Sequence, residues 1–76
     1  MPDFTALENE LNTKGTKILF EIKHNDQVLT FIYENVVDTK QSMDDIVSQY
    51  LPNYNISSTL ESGIYKGDAI DVNAIL

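Results

Sequence analysis

The segment KILFEIKHNDQVLTFIYE, residues 17–34, carries the strongest structural signal of the chain. Ile18, Phe20 and Ile22 alternate with Leu19, Glu21 and Lys23, and after His24-Asn25-Asp26-Gln27 a second β-rich run extends from Val28 to Tyr33. A period of two is that of a strand, and the polar four-residue interruption has turn chemistry. The segment therefore predicts a β-hairpin with its loop centred on Asn25 and Asp26, in which Ile22 faces Leu29, Phe20 faces Phe31 and Ile18 faces Tyr33. A slip of one residue would send one strand's apolar set to the wrong side, so the pattern selects this register, which also sets Lys17 opposite Glu34. The other side of the hairpin keeps Leu19, Val28 and Ile32. These three are either covered by an N-terminal helix or offered to a partner.

Before the hairpin, Phe4, Leu7 and Leu11 recur at i, i+3 and i+7, which predicts a short amphipathic helix over residues 3–13, with Thr5 and Glu8 as a capping box and Gly15 as its stop. A helix of about ten residues persists only if its apolar stripe docks. After the hairpin, Met43, Ile46, Val47, Tyr50 and Leu51 form the stripe of a second helix, capped by Asp38 or Ser42 and ended by Pro52. Asp44, Asp45, Ser48 and Gln49 are expected on its wet side. In the last third, Ile56, Leu60 and Ile64, then Ile70, Val72, Ala74 and Leu76, suggest a second hairpin around a Tyr65-Lys66-Gly67 loop. That register sets Leu60 against Val72 and Ile56 against Leu76, and Gly63 would mark a bulge or the close approach of another chain. The assembled expectation is one α+β domain over residues 1–76, ordered α-β-β-α-β-β, with a four-stranded, largely antiparallel sheet and the second helix packed on one face.

Composition narrows the function. In 76 residues there are twelve Asp and Glu against five Lys, no Arg and one His, for a net charge of -7, and there is no Cys. Disulfides, thiolate metal sites and thiol nucleophiles are thereby excluded. Asp68, Asp71 and Asn73 come nearest to a cation-binding run but lack its alternating oxygens, its central Gly and its final Glu. Asp44 and Asp45 diverge by about 100° on a helix and cannot grip one ion. Glu21 and Glu34 stand several residues apart along one face, and His24 lies in a turn, so no acid–base pair and no nucleophile triad is formed. No enzyme activity, cofactor or metal is expected. Lys14, Lys17, Lys23, Lys40 and Lys66 are scattered among more than twice as many carboxylates, which argues against direct nucleic-acid binding and against an anionic membrane. The opening residues, Met1 to Phe4, carry neither a basic start nor a long apolar run, and a cytoplasmic chain is expected.

What the charge would attract is a basic protein. The leading expectation is a small acidic protein-binding protein, an inhibitor of the immunity or phage anti-defence kind, which blocks a basic partner such as a nuclease or another nucleic-acid-binding protein through a negative surface. Asp38, Asp44, Asp45, Glu61, Asp68 and Asp71 are its candidate charged set, with Tyr54 and Tyr65 as exposed aromatic anchors, while Tyr33 and Tyr50 are assigned to the core. The alternative is a structural or regulatory module, a homodimer or an assembly subunit, that pairs through a sheet edge or its surplus apolar face.

Overall fold

A computed structural model describes residues 2–75. Helix α1 (Phe4–Asn12) leads into strands β1 (Thr16–Lys23) and β2 (Val28–Glu34), followed by helix α2 (Lys40–Tyr50), strands β3 (Tyr54–Glu61) and β4 (Ile64–Asp71), and a 3-10 turn at Val72–Ile75. The four strands form one antiparallel sheet in the order β1-β2-β4-β3. This is the expected α+β architecture. Helix α2 carries the chain over the sheet from β2 to the outer edge at β3, and β4 returns between them.

Both helices lie on the same side of the sheet. Phe4, Leu7 and Leu11 of α1 and Met43 and Val47 of α2 share one buried cluster with Leu29, Phe31 and Tyr33 of β2 and Tyr65 and Ala69 of β4. The stripe of α1 thus finds the support that so short a helix requires. The caps differ from expectation. Asp3, not Thr5, caps α1, its carboxylate accepting from the Ala6 N–H at 2.9 Å. Thr39, rather than Asp38 or Ser42, caps α2 by accepting from the Ser42 N–H at 3.1 Å. In each case the capping side chain lies three residues before the donor, so it satisfies an N–H of the first turn.

The first hairpin has the expected four-residue loop and pairs Ile22 with Leu29 and Phe20 with Phe31. Toward the start of β1 the register departs from expectation: a bulge at Ile18 pairs Lys17, not Ile18, with Tyr33, and Thr16, not Lys17, with Glu34. The extra residue turns Lys17 toward the helices, where its ammonium meets Glu8 of α1 at 2.7 Å. Ile18, displaced from the core, is 55% exposed.

The second hairpin turns elsewhere than expected. Glu61 pairs with Ile64 across Ser62 and Gly63, whose φ values are 54° and 77°. Two positive φ values in a two-residue loop suit the right-handed twist of the strands. Leu60 therefore faces Tyr65, not Val72, and Ile56 faces Ala69. Leu76 lies outside the described residues, and Val72 belongs to the 3-10 turn. Gly63 is a turn residue whose carbonyl accepts from the Val36 N–H at 2.9 Å. Gly67 sits inside β4 opposite Phe31 and Ser58, where a Cβ would collide with the Ser57 carbonyl oxygen. The shift also changes which residues face the core. Tyr65 and Ala69 are buried completely, and Ile64 and Ile70 turn to the opposite face.

Candidate functional site

The side of the sheet away from the helices is uncovered, and strand alternation determines what it presents. Three rows of register partners cross it: Leu19, Ile32, Lys66 and Thr59; then Glu21, Thr30, Asp68 and Ser57; then Lys23, Val28, Ile70 and Asn55. Leu19, Val28, Ile32 and Ile70 are half-buried, and Ile64 on the same face is 40% exposed. The surplus apolar set expected on the first hairpin is thus joined by two isoleucines from β4. A shallow hollow at the centre is lined by Thr30, Ile32, Ser57, Thr59, Lys66 and Asp68. Thr30 donates its hydroxyl to Asp68 at 2.8 Å, and Lys23 meets Glu21 at 3.1 Å. Among the described residues Lys66 is the one lysine with no carboxylate at salt-bridge distance.

The expected charged set is dispersed over several surfaces. Glu61 and Asp68 belong to or border the open face. Asp38 meets Lys14 at 3.4 Å, joining the start of α2 to the end of α1. Asp45 accepts from Gln41 at 2.8 Å on the exposed side of α2. Asp71 accepts from the Asn73 N–H at 2.9 Å at the far end of β4.

Asp44 is not on the wet side. One carboxylate oxygen accepts from Ser58 of β3 at 2.6 Å and from Tyr65 of β4 at 2.7 Å, while the other accepts from Lys40 at 2.7 Å. Burial raises its pKa, but hydrogen bonds from Lys40, Ser58 and Tyr65 and the Lys40 charge outweigh that and hold the carboxyl below its ordinary value. Asp44 thus pins α2 to the sheet.

The two candidate anchor tyrosines have internal tasks as well. Tyr65 is fully buried, stacked on Phe31 at a centroid distance of 5.1 Å, so it offers no exposed anchor. It was expected in a turn, and the Ser62-Gly63 loop places it in β4 instead. Burial, with the nearby Asp44 carboxylate, pushes its hydroxyl pKa upward. Tyr54 is half-buried against the edge of Phe4, and its hydroxyl donates to the Asp26 carbonyl at 2.7 Å. Burial and the Asp71 and Asp26 charges raise its pKa. Tyr33 is buried as expected, yet its hydroxyl finds no hydrogen-bond partner.

Among the described residues no three His, Asp or Glu side chains converge as a metal site would require, and no helix is long and apolar enough to cross a membrane. The open face is the largest feature the fold's own packing does not explain. Comparison with family models, with curated proteins and with solved structures matches nothing to this chain, so what it does must be read from its own surface.

Proposed function

We propose that the chain is a small protein-binding module that docks a basic protein on the uncovered face of its sheet. The observation that carries this reading is the gathering of Leu19, Val28, Ile32, Ile64 and Ile70 on a face without helices, interspersed with Glu21, Lys23, Lys66 and Asp68 and bordered by Glu61. Half-buried aliphatic side chains interleaved with polar ones give the mixed apolar and polar surface of a protein interface. The net charge of -7 draws a positively charged partner in from a distance and repels polyanions. Proteins that handle nucleic acid carry basic grooves of this kind, and occupying such a groove would inhibit its owner. In this reading the aliphatic face supplies the contact and Glu61 and Asp68 remain contact residues, while Asp38, Asp44, Tyr54 and Tyr65 support the scaffold.

Affinity capture from the native host, comparing the protein with an Ile32→Lys/Ile70→Lys variant, tests this. Both side chains leave the helix-side core untouched, and circular dichroism checks that the fold is retained. A basic partner held at low salt should be lost on the variant, and should weaken at least about tenfold between about 0.05 and about 0.5 M salt. A partner held equally by the variant, or held regardless of salt, overturns the proposal.

A further inference from the structure

The two edges of the sheet are built differently. Edge strand β1 is broken by the bulge at Ile18 and carries Lys17, Glu21 and Lys23. Bulges and charges are how natural sheets keep an edge from pairing with another chain. Edge strand β3 has neither device. Its eight residues, Tyr54–Glu61, pair with β4 without interruption, include no Pro or Gly, and carry a single charge, Glu61, at the last position. Among the described residues, no backbone bond from a loop or turn reaches residues 55–61 from the outer side. Within residues 55–61 every second residue therefore points an N–H and a C=O at solvent, while the Tyr54 N–H is held by the Leu51 carbonyl.

We infer that β3 is a self-pairing edge, on which a second copy of this chain adds its own β3 in antiparallel orientation about a twofold axis at Ser58. The sequence of the strand is self-complementary about that point. Opposed residues of an antiparallel pair share a face. Centring on Ser58 sets Ile56 against Leu60 of the other copy twice on the helix side, where both residues flank the core but are only half-buried. It sets Ser57 against Thr59 and Asn55 against Glu61 on the open side. The one charge of each strand then lies at opposite ends of the contact, facing an amide rather than a like charge. A centre at Ser57 would instead oppose Ile56 to Ser58 and Leu60 to Tyr54, leaving Ile56 without an apolar partner. The product is a continuous eight-stranded sheet with one uncovered face twice as wide.

This pairing is independent of the basic-partner reading, and salt separates the two. Bringing together two chains of net charge -7 is opposed at low ionic strength, so self-association should strengthen with salt where basic-partner binding weakens. In sedimentation equilibrium at about 0.5 M salt the mass should rise from that of the 8.6 kDa monomer toward twice that value between about 1 and about 500 µM. Ser57→Lys/Thr59→Lys should raise the dissociation constant at least tenfold, and Ile22→Lys on the other edge should leave it within twofold. The chain contains no Cys, so the register can be read directly. A mixture of Ser57→Cys and Thr59→Cys proteins should oxidise to the mixed disulfide at least tenfold faster than either protein with itself. A monomer throughout that concentration range, equal oxidation rates for all three pairs, or loss of the dimer through the Ile22→Lys change overturns the inference.

Discussion

Tyr33 and Tyr65 are register partners on the two central strands, both completely buried, yet one hydroxyl is bonded to Asp44 and the other to nothing. Removing the unpartnered oxygen takes away a desolvated polar group, whereas removing the partnered one takes one of the three hydrogen bonds from Asp44, which keeps those of Ser58 and Lys40. Tyr33→Phe should therefore stabilise the protein by about 1 kcal/mol, and Tyr65→Phe should destabilise it by about 1–2 kcal/mol, measured by urea denaturation. Both hydroxyls ionise less readily in the fold than in the unfolded chain, Tyr33 through burial and the Glu8 charge and Tyr65 through burial and Asp44. Their contribution is present below pH 10 and lost as pH rises above it, by about 1.4 kcal/mol per pH unit for each. Tyr33→Phe should remove its share of that alkaline slope. Asp44 acts at the other end of the scale. Its carboxyl is held below the ordinary Asp value, so its stabilisation is present above about pH 4 and lost as pH falls through the folded value. Asp44→Asn should flatten the acid limb of stability against pH and cost about 1–3 kcal/mol at neutral pH. An unchanged acid limb would show that Asp44 is not held by these bonds.

Among the elements, β4 depends most on a single small residue. A Cβ at Gly67 would collide with the Ser57 carbonyl and come within 2.7 Å of the Ser58 Cα, so Gly67→Ala must push β3 away from β4. The expected loss is about 2–3 kcal/mol in thermal or urea unfolding, larger than the gain in strand propensity. The elements also differ in how far sequence alone discloses them. The first hairpin's central register is legible because Phe20 and Ile22 alternate cleanly with Glu21 and Lys23 ahead of a polar loop. Its outer end is not, because pairing of Lys17 with Glu8 on α1 is a tertiary contact that alternation cannot express. The second hairpin misleads for a related reason. Ile64 and Ile70 look like core residues by hydropathy, while the residues that do reach the core, Tyr65 and Ala69, look like a turn and its surroundings. Ser62-Gly63, a pair able to supply two positive φ values, is the cue that locates the loop. The dispersal of the charged set over several surfaces is not legible, because grouping carboxylates by face needs the strand order, and β4 inserting between β2 and β3 is a matter of topology. What remains legible of the candidate site is Leu19, Val28 and Ile32, surplus on the second face of the first hairpin.

Over the molecule, the four ion pairs among the described residues engage Lys14, Lys17, Lys23 and Lys40 without offsetting a net charge of -7 on a body of 35 × 19 × 18 Å. Self-repulsion opposes compactness in such a chain, and salt screens it. The melting temperature should rise by about 2–5 °C between about 0.01 and about 0.5 M sodium chloride, measured by scanning calorimetry at low protein concentration. A fall would mean that the ion pairs, rather than the excess carboxylates, dominate the electrostatics. The strand order has a consequence for synthesis. The strand that joins the first hairpin to β3 is the last of the four in chain order, so until Ile64–Asp71 has emerged from the ribosome the helices lack Tyr65 and Ala69 beneath them and β3 has no neighbour in the sheet. Folding is then close to all-or-none, because the sheet closes only once β4 is available, and products terminated before it present open hydrophobic surface to proteases.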